Sequence, residues 1–348
     1  MKALAILRGF PGLGRVVSGV AIMETLRDEY NYAIEIISYL QGNIFLEERG
    51  YQNLKEVVPM DYCSIGLLPT NKMANHIHER IQSFEPDIVL VDGEPLMVQA
   101  LRISYPNIKI VVLLNPSDVD NPHNDKEAMK FFNAMYAVAD LAVVHGLRLV
   151  DGSFNYKKLV SVGTILRKEI FSITNIRTNN IYCLLGGGTV NVGHQFSEST
   201  IKIATLCQKA ASLLPDYNMH IVCSSQNIYD AINENSSSPN VIMHKNILDA
   251  VECYSNSCLV ITRSGRNTLS ELAYLGIPTI SFVSGCSYRK AEQEQNIENI
   301  RESNICLASM DISSKELAEK CLAQIQKVKV SHDFCVGNIS AIKEIVNL

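Results

Sequence analysis

The chain has 348 residues, 47% of them hydrophobic and 19% charged, with 31 basic against 36 acidic side chains and a net charge of −5. That length favours two domains over one core, and the composition is that of a globular protein with large buried strands. So small a negative charge offers no field for nucleic acid or anionic lipid, and no apolar run approaches the ~18–20 residues of a membrane helix. Met1-Lys2 runs straight into a strand, and glycines follow too soon for a signal peptide. Ten cysteines are scattered with no C-x-x-C pair, as expected of buried free thiols in a reducing compartment. A cytoplasmic protein without a transmembrane segment is expected.

The first strand is residues 3–7, Ala3-Leu4-Ala5-Ile6-Leu7. It enters Gly9-Phe10-Pro11-Gly12-Leu13-Gly14-Arg15, then a helix from about Val16 to Glu29. Such a turn at the carboxyl end of a strand is where open α/β sheets bind ligands, so Gly12 and Gly14 are candidate loop residues. A plain structural turn is the alternative, since Val17 breaks the G-x-G-x-x-G nucleotide pattern. Further strands are read at 34–38, 85–92, 109–114 and 140–144. Strands separated by helices imply a parallel sheet with right-handed crossovers. Asp118-Val119-Asp120, with His123 and Asp125 nearby, has the oxygen-rich look of a hard-cation loop. A solvated polar loop is the favoured reading, and no metal is expected. His76 and His78 are two apart, do not share a helix face, and read as surface residues.

The pattern restarts after residue 178, with 164–178 as a linker. A strand at 180–185 ends in Gly186-Gly187-Gly188-Thr189, and three consecutive glycines there serve close backbone approach, to a phosphate or sugar. Strands at 219–223 and 240–243 follow. Residues 258–261 form another, leading into Thr262-Arg263-Ser264-Gly265. Thr268, Leu269, Leu272 and Ala273 have helical spacing, and Gly276 and Pro278 stop the helix before a strand at 279–283. A helix N-terminus at the end of a parallel strand favours phosphate. Glu271, about two turns in, is placed to reach a ribose. Glu292-Gln293-Glu294-Gln295-Asn296 begins a further helix, and helices at about 313–327 and 337–346 close the chain.

The string Thr262–Pro278 resembles the donor-binding segment of GT-B glycosyltransferases, above all the bacterial enzymes that add N-acetylglucosamine to the lipid-linked peptidoglycan precursor. Gly187-Gly188-Thr189 is similar to their G-G-S, Gln293-x-x-Asn296 to their Q-x-x-N, and Val162 to Arg167 to the G-N-P-x-R string that ends their first domain. Asp92-Gly93-Glu94-Pro95-Leu96 and Glu47-Glu48-Arg49-Gly50-Tyr51 resemble a group of archaeal and bacterial glycosyltransferases with a D-F-E-P-L string.

The resemblance implies an α/β GT-B fold, two Rossmann-like doubly wound domains facing a cleft. Residues 1–163 would bind the acceptor, 179–330 the nucleotide sugar, and 331–348 would form a last helix returning to the first domain. Glu271 would hold the ribose, and the Ser264 and Gly265 amides the diphosphate, with Arg263, Gly187, Gly188 and Thr189 nearby. Gln293 and Asn296 would contact the sugar, and Arg167 would mark the hinge. One position departs from both groups of relatives: their G-x-G-H histidine is Arg15 here, and arginine stays protonated. Glu94 is therefore the candidate general base, with an N-cap or surface role as its alternative, and Arg15 a candidate contact for a phosphate or carboxylate.

The expected function is transfer of a sugar from a nucleotide-diphosphate donor, UDP-linked by resemblance, with inversion, no cofactor and no metal. The acceptor stays open, and a lipid acceptor would bring peripheral membrane contact. The alternatives are a nucleotide-sugar hydrolase or 2-epimerase on the same fold, and a nucleotide-sugar-binding protein without chemistry.

Overall fold

The structure is a computed structural model. It describes every residue except 10–11, 57–70, 122–124, 151–154, 186–192, 224–225, 234–237, 246–248, 284–286, 299, 301–303 and 328–335. Two compact units make up the chain: Met1–Arg167 with Val336–Leu348, and Lys168–Cys335.

Unit 1 runs β1 Lys2–Leu7, α1 Gly14–Tyr30, β2 Ala33–Ile37, α2 Gln41–Glu48, α3 Asn71–Phe84, β3 Ile88–Asp92, α4 Pro95–Ser104, β4 Lys109–Leu114, α5 Pro116–Val119, α6 Lys126–Tyr136, β5 Leu141–His145 and β6 Leu159–Val162. The six strands form one parallel sheet in the order β2-β1-β3-β4-β5-β6. Both faces of such a sheet are covered, so its strands are apolar on both sides rather than alternating. Ala3, Ala5 and Leu7 of β1 face one core with Val16, Val20 and Met23 of α1. Leu4 and Ile6 face the other, with Ile77, Val98 and Tyr136.

Unit 2 opens with a 3-10 turn, Lys168–Ser172. It continues with β7 Asn180–Leu184, α7 Gly193–Ala211, β8 Asn218–Val222, α8 Gln226–Asn233, β9 Val241–His244, α9 Ala250–Ser255, β10 Ser257–Arg263, α10 Arg266–Leu275, β11 Thr279–Phe282, α11 Ser287–Glu298, β12 Ile305–Ala308 and α12 Ser314–Ile325. Its parallel sheet has the order β12-β11-β10-β7-β8-β9. Ile181, Cys183, Ile221 and Ile261 pack against Ala204, Cys207 and Leu317 of the flanking helices. Cys183 and Cys207 lie side by side, Sγ to Sγ 3.6 Å, as free thiols.

The last helix, α13 Asn338–Val346, belongs to unit 1. Asn338 and Leu166 exchange two hydrogen bonds, Leu166 N to Oδ1 at 2.9 Å and Nδ2 to Leu166 O at 2.8 Å. Gly337 is packed so tightly that an added Cβ would lie 1.9 Å from Gly163 O. The stretch expected as a linker divides at Arg167. Ile165 and Leu166 are buried in the core of unit 1, and Thr164 pairs with Val336, so those residues are docked rather than connecting. Strands β6 and β12 were not expected. Each has four residues at a sheet edge, where the neighbouring strand, not local periodicity, fixes the extended backbone.

Candidate functional site

In unit 2, β10 lies between β7 and β11 and delivers Ser264 and Gly265 to the start of α10. Gly265 is the N-cap, and its carbonyl accepts the first helical bond from Leu269 N at 3.0 Å. Gly276 ends the helix in the left-handed conformation, φ 64°, as its spacing predicts. The Ser264 and Gly265 amides do not face outward as the resemblance implied. Ser264 N donates to Phe282 O at 3.1 Å, and Gly265 N donates to Arg263 O at 2.7 Å. Ser264 is wholly buried, its Oγ 2.7 Å from Ser281 Oγ. The strand-to-helix bend consumes these two donors. The donors that a helix presents to an anion are the amides of its first turn, here Arg266, Asn267 and Thr268. An added Cβ at Gly265 would meet nothing within 4 Å, and its φ of −72° suits any residue. Among the described residues, nothing packs over Gly265.

Glu271 is 3% exposed and accepts a hydrogen bond from Tyr254 Oη at 2.9 Å. Arg263 reaches α7, with Nη1 donating to Thr200 Oγ1 at 3.2 Å. Gln293 and Asn296 are half-buried on α11, which lies against α10. The Asn296 Nδ2 is buried with no acceptor among the described residues, and such a donor costs free energy unless something occupies it. Gly187, Gly188 and Thr189 lie outside the described residues.

In unit 1, strand order brings the carboxyl ends of β1, β3 and β4 side by side. Arg8 follows β1, Asp92 ends β3, Gly93 and Glu94 follow it, and Asp118 lies in α5 just after β4. Arg15 is held between two carboxylates, Nη1 to Asp92 Oδ1 at 2.5 Å and Nη2 to Asp118 Oδ2 at 3.1 Å. Burial alone would lower the Arg15 pKa, but Asp118 and then Asp92 outweigh it and raise it. Arg15 is thus part of a closed ion-pair network, which revises the expectation of a ready anion contact.

Glu94 is 8% exposed and stands as the N-cap of α4. Its Oε1 receives Tyr39 Oη at 2.5 Å and Arg8 Nε at 3.3 Å. Burial, then the Glu94 charge, raises the Tyr39 pKa, so its hydroxyl stays protonated and donates. Gly93 has φ 87°, and an added Cβ would lie 2.7 Å from both Arg8 Cβ and Arg15 Cδ. Only glycine lets the two arginines close over the end of β3. At Gly12, as at Gly265, no described residue lies within 4 Å of an added Cβ, and Gly14 is the first residue of α1. Arg167 is the half-exposed last residue of the first segment of unit 1.

The described carboxylates of the acidic loop after β4 are each engaged within unit 1. Asp118 caps α5 through Asn115 N at 3.0 Å as well as holding Arg15. Asp120 pairs with Arg148 at 3.5 Å, and Asp125 caps α6 through Ala128 N at 2.8 Å. His123 lies outside the described residues, among which no cluster of three metal-ligating side chains occurs. In the E-E-R-G-Y string, Arg49 grips both carboxylate oxygens of Glu24, at 3.1 and 2.6 Å, a bond internal to unit 1.

Sequence reasoning missed three participants: Tyr254, Tyr39 and Arg8. None stands in a recognisable motif, and each is found only through the carboxylate it contacts. A cavity of about 550 Å³ along α6, with Val119, Asp120, Asn133 and Tyr156 among its lining, and one of about 370 Å³ beside β2, with Glu35, Asn43, Tyr51, His76 and Arg80, involve none of the residues expected to bind the donor or to act as base. Among the described residues, no helix is long and apolar enough to cross a membrane.

Residues 189–333 match the glycosyltransferase family 28 C-terminal domain. The chain is 27% identical over 191 residues to the UDP-N-acetylglucosamine--N-acetylmuramyl-(pentapeptide) pyrophosphoryl-undecaprenol N-acetylglucosamine transferase of Rickettsia bellii, covering 50% of each chain. The enzyme of the same description from Rickettsia massiliae is 35% identical over 79 residues, 22% of this chain and 21% of that one. The chain spans about half the length of the first of these relatives and a smaller share of the second. Among solved structures, the glycotransferase of kitacinnamycin has a TM-score of 0.66 at 12% identity, with 99% of this chain and 98% of that one covered. Acinetobacter baumannii MurG gives 0.58 at 15%, covering 100% and 99%. The UDP-GlcNAc 2-epimerase of Methanocaldococcus jannaschii gives 0.63 at 15%, covering 100% and 99%. The chain therefore has the two-domain GT-B fold, and residues 189–333 of it are similar to the C-terminal domain of glycosyltransferase family 28.

Proposed function

We propose that the protein is a glycosyltransferase that moves a sugar from a UDP-sugar to an acceptor, with inversion and without a metal ion. The observation that carries this reading is the β10–α10 turn of unit 2. Among the described residues nothing packs over Gly265 at the helix start, Glu271 lies two turns on, and Asn296 on the adjoining helix has a buried amide without an acceptor. The diphosphate would meet the first-turn amides of α10, the ribose Glu271, and the sugar Gln293 and Asn296. The match to the family 28 C-terminal domain covers this same region.

The acceptor belongs to unit 1. Its oxygen attacks C1 of the sugar from the face opposite the diphosphate. The C1–O bond to the phosphate breaks, UDP leaves with the electron pair, and a base takes the acceptor proton. Fixed donors at the leaving group stabilise the charge that develops there. Glu94 is the proposed base, oriented by Tyr39 and Arg8. Arg15 cannot be that base, because two carboxylates keep it cationic.

A second reading has specific support: the fold is as similar to a UDP-GlcNAc 2-epimerase as to transferases. One experiment separates them. The protein is first screened against nucleotide sugars by thermal shift, where a ligand at 100 times its Kd stabilises by about 2.7 kcal/mol. The tightest donor is then incubated with and without a panel of acceptors. A transferase consumes donor only with acceptor. A hydrolase consumes it alone, and an epimerase converts it to a second UDP-sugar. No shift with any nucleotide sugar would overturn the donor assignment itself.

A further inference from the structure

We propose that Arg8 is an acceptor-binding residue: the outer edge of its guanidinium takes an oxyanion of the acceptor, a carboxylate or a phosphate monoester, carried close to the hydroxyl that attacks. This rests on the reading of unit 1 as the acceptor domain and of Glu94 as the base.

Arg8 directly follows β1, at the carboxyl end of a parallel sheet, where open α/β sheets bind ligands. Its backbone is fixed there, with Arg8 N donating to Asp92 O at 3.0 Å. Its side chain is 17% exposed. Nε donates to Glu94 Oε1 at 3.3 Å, the one ion pair that Arg8 makes among the described residues. Nη1 and Nη2 donate to none of those residues, and neither is sealed from solvent. Arg15 differs, because both its Nη atoms are taken, by Asp92 and Asp118. Of the two arginines at this end of the sheet, Arg8 is the one whose fork is left open. A guanidinium presents parallel N–H groups that match the oxygens of a carboxylate or a phosphate.

The surroundings of Glu94 point the same way. Tyr39 Oη and Arg8 Nε both donate to Oε1, and Oε2 is not sealed from solvent. Oε2 is then the atom that receives the acceptor proton. When it does, Arg8 loses its counter-charge while staying largely buried, and an unpaired buried cation is costly. An oxyanion on Nη1 and Nη2 supplies that charge. Nε and the two Nη atoms belong to one rigid plane, so the anion is held next to the carboxylate. The acceptor must therefore carry its hydroxyl and its anionic group a few bonds apart, as hydroxy acids and sugar phosphates do. Before proton transfer the two arginines face three carboxylates, Asp92, Asp118 and Glu94. Neutralising Glu94 should therefore strengthen the hold on the anion.

The test titrates glycerate, glycerol 3-phosphate and uncharged glycerol into the full chain in excess UDP, by calorimetry, for the wild type, Arg8→Gln, Arg8→Lys and Glu94→Gln. UDP fills the donor site of unit 2 first, and its own affinity checks that each variant is folded and tests the donor reading separately. The wild type should bind glycerate or glycerol 3-phosphate and not glycerol, and the tighter of the two decides between carboxylate and phosphate. Arg8→Gln should lose roughly 10- to 150-fold in that affinity, as for a charge-assisted hydrogen bond. Arg8→Lys keeps the charge without the fork and should fall between. Glu94→Gln should bind the anion more tightly than the wild type. Unchanged anion affinity in a folded Arg8→Gln variant would put the anion elsewhere and overturn the proposal. So would a wild type that binds UDP and neither anion. If Arg8→Gln does not fold, Glu94→Gln decides, and no gain in anion affinity there overturns the proposal. A wild type that binds an anion through Arg8 but does not bind UDP would overturn the donor assignment and uphold the anion site.

Discussion

Nη1 of Arg15 lies 2.5 Å from Oδ1 of Asp92, a carboxylate whose side chain is only 2% exposed. A sequence position that carries histidine in the resembling families is thus occupied by a cation locked into the end of a strand. Asp118 closes the other side. The pair explains why arginine is tolerated there, and it moves the search for a proton acceptor to Glu94.

Arg15→Ala should destabilise the protein by about 3–5 kcal/mol, the usual cost of removing one partner from a buried ion pair. Two buried carboxylates would be left facing each other. Urea unfolding measures this directly. A variant as stable as the wild type, with weakened binding of an anionic substrate, would return Arg15 to the role of ligand contact.

Glu94→Gln should lower turnover by about 10²- to 10⁴-fold, the range for loss of a general base, with donor affinity nearly intact. The amide keeps the shape and still accepts from Tyr39, so the N-cap position is preserved. Steady-state kinetics with the identified donor and acceptor decide it. Normal turnover would exclude Glu94 as the base, and failure to fold would make it structural.

Glu271→Ala should reduce UDP-sugar affinity by roughly 10- to 150-fold, corresponding to a charge-assisted bond of ~1.5–3 kcal/mol. Calorimetry on the folded variant gives the number. Wild-type affinity would remove Glu271 from the donor site.

Turnover should survive EDTA. The acidic residues after β4 are taken up by Arg15, Arg148 and two helix caps. Complete loss of activity, restored by manganese or magnesium, would require a cation site.

Stability should fall with acid because of two stacked histidines in unit 2. His220 Nδ1 lies 2.9 Å from His244 Nε2, and Tyr182 stacks on the other side of His220. Burial, then the neighbouring His244, pushes the His220 ring down to about 4. Burial also lowers His244, with Glu252 acting the other way. In the unfolded chain both titrate near the ordinary value of about 6.5. Between those values the unfolded state binds more protons than the native one, so stability drops as pH falls from about 6.5 towards about 4. Melting temperatures across that window should fall more for the wild type than for His220→Phe, which keeps the ring stack. Parallel curves would show that the pair does not set the acid limit.

Much of the fold follows from local pattern. Apolar runs such as Ala3 to Leu7 and Ile88 to Val91 are strand-length and apolar throughout, which only a doubly covered parallel sheet accommodates. Gly276 and Pro278 end α10 by backbone stereochemistry alone, and the strand, turn and helix from β10 into α10 were legible because they are contiguous. Tertiary structure decided what is not contiguous. Strand order β2-β1-β3-β4 sets Arg15 beside Asp92 and Asp118, partners 77 and 103 residues away. In unit 2, tertiary packing turned the Ser264 and Gly265 amides back into the protein and set Tyr254 against Glu271, and sheet pairing made strands of β6 and β12 at the edges. Periodicity reports which face of an element is buried. Which charges meet at the end of a sheet depends on which strands are neighbours, and that is fixed only when the whole core packs.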